Sequence, residues 1–277
     1  MSGRAVATAA YQGAPGAFSE DAIEVLAPGA RPLPCETLEL TLDALARGAA
    51  DLAVVPIENT LAGAVPGCAD LLVRHDVHVA GECVVPIRHA LVAAPGGVLS
   101  GIRRVRSHPV ALAQCERFLR RHPAMTLEPA YDTAGAAAEI IERGETDAAA
   151  VASARVAALY GGVVLEADIQ DRPDNATRFL LVRRGPAGRT WHAGYRTSLY
   201  CVLDDVPGAL VRALEAFARR QLNLSRIESR PTKETPFEYG FLIDLAAGPH
   251  VAAIGEAMAD AERVCRRVRL IGHYPRH

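Results

Sequence analysis

Four short polar clusters border apolar runs in this sequence, and they are the positions at which chemistry could be done. Pro56-Ile57-Glu58-Asn59-Thr60 sets a carboxylate, an amide and a hydroxyl in succession at the end of the run Leu52–Ile57. Such a set suits a polar crevice, and capping of a helix by Asn59 or Thr60 would use the same residues. Ser107-His108-Pro109 closes the run Arg103–Ser107, with Gln114 further along. On one continuous helix Ser107 and Gln114 would be about two turns apart and face the same side, roughly 10 Å apart along the axis. Ser107 is also a natural cap with Pro109 in the first turn, and His108 fits capping or solvent contact better than acid–base work. Asn175-Ala176-Thr177-Arg178-Phe179 leads into the run Arg178–Val182. Thr177 offers a hydroxyl that can donate a proton or hydrogen bond, and Arg178 could pair with a carboxylate. A strand entrance with an exposed arginine is the plainer alternative. Finally, Gln12–Ser19 carries Gly13 and Gly16 before a helical segment. Free amides at a helix start suit an anion, and a tight turn without ligand would look the same.

These clusters need elements to position them. Apolar runs read as buried strands at Ala5–Tyr11, Leu52–Ile57, Val77–Val85, Arg103–Ser107, Ala148–Ala152 and Arg178–Val182. Helical spacing recurs between them at Phe18–Leu26, Leu38–Arg47, Ala111–Arg121, Thr133–Arg143 and Ser153–Tyr160. This alternation predicts α/β layers around a largely parallel sheet. Paired α/β lobes bind ligands at strand carboxyl ends or in the crevice between them. Arg183–Gly194 breaks the pattern with charge, glycine and proline and reads as a linker. Beyond it come strand Tyr195–Leu203, helix Pro207–Arg220, strands Asn223–Arg230 and Phe237–Leu245, helix His250–Ala261 and strand Arg266–Tyr274. That β-α-β-β-α-β order is the ferredoxin-like plan, and a domain this small is expected to pack against a partner.

Composition narrows the function. Of 277 residues, 50% are hydrophobic and 22% charged, so a packed core is expected. Lys plus Arg number 30 against 32 Asp plus Glu, and no basic tract suggests nucleic acid or an anionic membrane. His89–Ile102 is too short and too broken to span a bilayer, and Ala5–Tyr11 is too short for a signal-peptide core. The six dispersed cysteines contain no Cys-x-x-Cys pair and predict reduced thiols in a cytoplasmic protein. Neither a Ser-His-Asp order, a metal-ligand spacing nor a Gly-Lys-Ser/Thr loop is visible. The residues alone therefore predict a protein without metal or cofactor, with a polar crevice and a small accessory domain.

Taken together, the clusters resemble the prephenate dehydratase family. The matching segments run in order: 13–19, Val55-Pro56-Ile57-Glu58-Asn59-Thr60, Ser107–Cys115, Asp132-Thr133-Ala134-Gly135-Ala136-Ala137, Gln170-Asp171 and Asn175–Phe179. Gly208-Ala209-Leu210 and Ile227-Glu228-Ser229-Arg230-Pro231 resemble the phenylalanine-binding motifs of ACT regulatory domains. The resemblance implies a two-lobed catalytic domain, periplasmic-binding-protein-like, over 1–184, a linker over 185–194 and an ACT domain over 195–277. It implies that prephenate loses carbon dioxide and its ring hydroxyl to give phenylpyruvate, with no cofactor. Thr177 would assist departure of the hydroxyl, Asn59, Ser107 and Gln114 would position substrate, and Glu58 would lie near the site. Thr60, Ala134 and Phe179 would border the substrate, with Thr133 and Arg178 meeting its two carboxylates. Asp132, where a small hydroxyl residue is frequent, is expected to cap the following helix rather than face a dianion. Gly208, Ala209, Leu210, Glu228, Ser229, Arg230 and Pro231 would bind L-phenylalanine as allosteric effector in a homodimer or homotetramer. The competing readings are an arogenate dehydratase, a prephenate decarboxylase, and an amino-acid sensor without catalysis.

Overall fold

The computed structural model describes residues 6–246, 248 and 251–277. Ala5 and His250, expected to begin a strand and a helix, lie outside the described residues. The first lobe takes β1 (Thr8–Gln12), α1 (Phe18–Leu26), β2 (Arg31–Cys35), α2 (Leu38–Ala46), β3 (Leu52–Asn59), β4 (Gly63–Ala64), α3 (Cys68–Arg74) and β5 (Val77–Pro86). The chain crosses to a second lobe of β6 (Ala90–Ala93), β7 (Arg104–Ser107), α4 (Pro109–Ala113), α5 (Glu116–Arg120), β8 (Thr126–Pro129), α6 (Thr133–Arg143), β9 (Ala148–Ala152), α7 (Ala154–Tyr160) and β10 (Val163–Glu166). It returns to the first lobe as β11 (Ala176–Arg184). The tail follows as β12 (Arg196–Val202), α8 (Ala209–Ala218), β13 (Leu224–Pro231), β14 (Tyr239–Leu245), α9 (Val251–Val264) and β15 (Arg267–Tyr274), in the ferredoxin-like order.

The second lobe shows why its sequence folds as it does. Every residue of β9, Ala148-Ala149-Ala150-Val151-Ala152, is buried, because helices cover both faces of the sheet. Side-chain alternation divides the strand: Ala148, Ala150 and Ala152 pack with α6 and α7, while Ala149 and Val151 pack with Phe118, Leu119 and Ile102. Small side chains at the centre let both layers approach closely. Helix α6 begins at Asp132, whose carboxylate accepts from the Gly135 amide as expected, and ends at left-handed Gly144.

The largely parallel sheet is corrected: both sheets are mixed. Strand β1 pairs parallel with β2 and β3, but β11 runs antiparallel to both β3 and β5. The cause is topological, since β11 re-enters from the opposite lobe. In the second sheet β7 is parallel to β8 and β9, whereas β6 is antiparallel to β9 and β10. The expected helix Ala111–Arg121 is also corrected. It is interrupted between α4 and α5, because the Gln114 carbonyl accepts from the Asp171 amide at 2.7 Å and the Asp171 carboxylate caps Arg117 N at 2.9 Å.

The tail continues the large sheet, with order β13-β14-β12-β15-β5-β11-β3-β1-β2 and β4 on β3. Gly272 of β15 meets Val79 of β5 so closely that a Cβ there would lie 2.5 Å from the Val79 carbonyl oxygen. Over this junction lies a buried charge cluster. Arg178 donates to Asp244 at 2.6 Å, Arg196 donates to Glu82 at 2.9 Å, and Ser198 donates to Asp244 at 2.6 Å. Arg178 Nε also lies 2.8 Å from Glu82, but off the line of a hydrogen bond, so that contact is electrostatic. Burial is the largest single influence and works against the Arg178 charge, but Asp244, Tyr274 and Glu82 together outweigh it and hold the guanidinium above its ordinary pKa.

Removing one partner of such a pair strands the other charge in low dielectric. With its side chain 1% exposed, Asp244→Ala should cost about 3–5 kcal/mol in urea unfolding. Glu215→Ala, which breaks the exposed pair with Arg219, should cost about 1 kcal/mol or less. Equal costs would show that the junction cluster is as solvated as the surface pair.

Candidate active site

A cleft of about 740 Å³ separates the two lobes. The first lobe lines it with Gln12, Gly13, Phe18, Asn59, Thr177 and Phe179, and the second with His89, His108, Gln114, Tyr131, Asp132 and Thr133. The lobes also touch directly. Arg155 of α7 bridges to Asp21 at 2.8 Å and Glu24 at 2.7 Å on α1, and the Tyr131 hydroxyl donates to the Glu36 carbonyl at 2.5 Å. The glycine loop between β1 and α1 joins this contact, because a Cβ at Gly16 would sit 2.9 Å from a Val156 methyl.

Strand register decides what faces the cleft. Thr177 pairs across to Asn59 and Arg178 to Glu58. Successive strand residues point to opposite faces, so the Thr177–Asn59 pair looks into the cleft and the Arg178–Glu58 pair looks away. Strand β11 bulges after Arg178, and Phe179 is again at the cleft.

At the cleft floor runs a chain of amides. The Asn59 oxygen accepts from the Leu61 and Ala62 amides, each at 2.9 Å. Its nitrogen therefore faces, and donates among, the Asn175 side-chain oxygen at 2.9 Å, the Ala176 carbonyl at 3.0 Å and the Thr177 hydroxyl at 2.9 Å. Asn175 in turn donates to Gln114 Oε1 at 2.9 Å, where His89 Nε2 also arrives at 2.9 Å. Thr177 Oγ thus accepts one bond, and its own proton finds no protein acceptor among the described residues. The loop 166–175 fastens this chain: the His89 amide donates to Gln170 Oε1 at 2.8 Å, and Ile169 donates back to the His89 carbonyl at 2.9 Å.

The expected residues divide accordingly. Asn59, Gln114, Thr133, Thr177 and Phe179 meet at the cleft. Arg178 and Glu58 are corrected: both lie on the other face, and Arg178 is committed to Asp244 and Glu82 at the junction with the tail. Ser107 is corrected as well, for it is wholly buried with its hydroxyl donating to Val151 O at 2.6 Å. Capping of α4 falls to His108 instead. Thr60 staples the loop, donating to Asp174 O at 3.1 Å and accepting from Ala176 N at 3.0 Å. Ala134 is buried among the helices of the second lobe. His89 and Asn175 were not foreseen as site residues. Asn175 sits inside a motif already singled out, whereas nothing local marks His89.

In the tail, Gly208 takes the left-handed conformation ahead of α8, and Leu210 packs partly into the tail's core. Ala209 is buried and its amide donates to the Val206 carbonyl at 3.1 Å. Glu228, Ser229, Arg230 and Pro231 lie on the edge strand β13. Arg230 is already engaged, donating to both carboxylate oxygens of Asp70 in α3 at 2.7 and 3.0 Å, which holds the Asp70 carboxyl below its ordinary range. Glu228 pairs with Arg226 and, at 3.4 Å, with Arg230.

Residues 9–187 match the prephenate dehydratase family model. The chain belongs to the prephenate dehydratase family. Residues 197–263 match the ACT domain model. The chain is 41% identical over 275 residues to arogenate dehydratase/prephenate dehydratase 2 of Arabidopsis thaliana, covering 96% of this chain and 72% of that protein. A solved prephenate dehydratase of Arthrobacter aurescens, in complex with L-Phe, superposes with TM-score 0.88 at 36% identity, covering 97% of this chain and 90% of that one. GqqA, described as a quorum-quenching acylase, superposes equally well at TM-score 0.88 and 34% identity, covering 98% of each chain.

The polarity of the amide chain is open to a direct check. Asn59→Asp keeps the acceptor for Leu61 and Ala62 but turns an oxygen toward the Asn175 and Ala176 oxygens. The loss should be about 1–3 kcal/mol of folding stability at neutral pH. The trapped carboxylate would have a raised folded pKa, so the deficit should shrink as pH falls through that value. Urea unfolding at pH 7 and pH 4.5 measures it, and the same deficit at both would contradict the assigned polarity.

Proposed function

We propose that this protein converts prephenate to phenylpyruvate, carbon dioxide and water in phenylalanine synthesis, with L-phenylalanine as its allosteric effector. The observation that carries this reading is the Thr177 hydroxyl, fixed at the cleft floor as an acceptor from Asn59 and so left with a proton to give. In the reaction the bond between ring and carboxylate breaks, and its electron pair enters the ring as the carbon–oxygen bond on the far side breaks. The departing oxygen leaves as water after gaining one proton, which solvent restores to the site. A threonine hydroxyl is a poor acid, so its use here is a hydrogen bond held ready for the charge that develops on that oxygen. Gln114 supplies a second donor. Substrate carboxylates would meet the starts of α1 and α6, where the helix dipole favours anions, beside the Gly135 amide that Asp132 already caps. Residues 1–184 would carry this chemistry, with the tail from 195 acting as the sensor through the 185–194 linker.

Arogenate is the second reading, favoured by the curated plant relatives and by Asp132, whose carboxylate borders the cleft and could face an ammonium. The ratio of kcat/KM for the two substrates separates them. Acyl cleavage, suggested by the similar acylase, fits less well. A nucleophilic hydroxyl needs a base to take its proton, and the partner of Thr177 is an amide N–H.

Regulation is supported by the ACT match and by the L-Phe complex of the Arthrobacter relative. Strand β13 ends the sheet with an edge unpaired among the described residues, and Ile227 on β13 and Val211 on α8 are exposed. This suits side-by-side pairing of subunits in a dimer or tetramer. Six free thiols fit a reducing, cytoplasmic setting, and among the described residues no helix is long and apolar enough to cross a membrane.

Thr177→Ala should lower kcat on prephenate by about 10²–10⁴-fold with the fold retained, while Thr177→Ser keeps most of it. Near-normal turnover of the alanine variant in a phenylpyruvate assay would remove the proposed role. Ser229→Ala should weaken inhibition by phenylalanine more than it lowers basal turnover, and unchanged inhibition would count against that sensor site.

A further inference from the structure

The buried histidine of the second lobe can be assigned a protonation state and a task from hydrogen-bond polarity alone. Backbone amides can only donate, so Leu61 and Ala62 fix which end of the Asn59 amide is oxygen. That choice propagates. Asn59 Nδ2 against Asn175 makes the facing atom of Asn175 its oxygen, which turns Asn175 Nδ2 toward Gln114 and makes the facing Gln114 atom its oxygen. An amide oxygen only accepts, so the His89 nitrogen 2.9 Å away must carry the proton. His89 is therefore the Nε2–H tautomer. Its Nδ1 is buried with no hydrogen-bond partner among the described residues, and the imidazole packs edge-on to the Phe18 ring at 5.7 Å between centroids. A proton on Nδ1 would create an unpaired buried cation, and burial alone holds the His89 pKa below its ordinary value, opposed only in part by Gln114.

We propose that His89 is a positioning residue for the dehydratase reaction, locking the Gln114 amide so that its N–H bonds point at substrate. This rests on the reading of the cleft given above. Two donors converge on Gln114 Oε1, so rotating that amide would set its own N–H bonds against those of His89 and Asn175. Its amino group has no protein acceptor among the described residues and borders the cleft. Together with the free Thr177 proton, the floor presents donors, which suits the oxygens of a dicarboxylate and of a leaving hydroxyl. Without His89, Asn175 alone would hold Gln114.

The test compares His89→Leu, which keeps bulk but no donor, with His89→Gln, which keeps an N–H close to the Nε2 position. Relative to the full-length wild type, kcat/KM should fall on the order of tenfold to a hundredfold in His89→Leu, the cost of freeing a paired polar group at a site. It should stay within about threefold in His89→Gln. Adding His89→Leu to Gln114→Leu should cause little further loss, because one acts through the other. Full activity of His89→Leu, equal losses in both His89 variants, or multiplying losses in the double variant would overturn the proposal. If His89→Leu does not fold, ¹⁵N NMR of the wild-type histidines decides it: Nε2–H with bare Nδ1 at pH 7 supports the assignment, and Nδ1–H or an imidazolium overturns it. A wild type inactive on prephenate and arogenate would sink the dehydratase reading, while the tautomer would still be decided by NMR.

Discussion

Two backbone amides, those of Leu61 and Ala62, set the direction of every bond in the chain of amides on the cleft floor. By claiming the Asn59 oxygen they turn its nitrogen toward Asn175 and Thr177. Each later amide in the chain then has one permitted orientation. The result is that two lobes, built on separate sheets, meet in a floor whose donors are fixed before any substrate arrives. Preorganisation of this kind matters most where the chemical groups are ordinary. A threonine hydroxyl and a glutamine amide have no unusual acidity to offer, so in the proposed reaction their contribution would be direction and placement.

The same strand that delivers Thr177 to the cleft delivers Arg178 to the tail. Adjacent residues on β11 serve opposite faces, one in the site and one in the buried charge cluster with Asp244 and Glu82. The sheet runs unbroken from the edge strand β13 to β2, and Arg230 fastens β13 to α3 through Asp70. The first lobe and the tail therefore share one framework, and a shift of β14 would be felt one residue from Thr177. Any effector of the tail would have to favour one arrangement of this framework over another to influence the cleft.

Much of this was legible in the chain itself, and the reasons for the remainder are physical. The order of the motifs brought together Asn59 and Thr177, 118 residues apart, and strand–helix alternation foretold the α/β layers. Motif matching names residues without saying which way they point, so Arg178 and Glu58 were grouped with neighbours that face the other side. The period of a strand alone would have separated Arg178 from Thr177. Ser107 has the type and the setting of a site residue, yet its hydroxyl is taken by Val151 across the sheet. The break between α4 and α5 comes from Asp171, far along the chain, and no local pattern encodes it. His89 begins an apolar run and acquires meaning only through Gln114, which the fold supplies. The antiparallel strand β11 and the junction of β15 with β5 are likewise products of the chain's return path.

The proposed departure of a ring oxygen with the help of the Thr177 proton is tested most directly by the products of the reaction. Purified protein incubated with prephenate should release carbon dioxide and aromatic phenylpyruvate in equal amounts, identified by mass and ultraviolet absorbance. Carbon dioxide accompanied by a non-aromatic dihydro product that keeps the hydroxyl, or prephenate consumed no faster than in buffer, would contradict it.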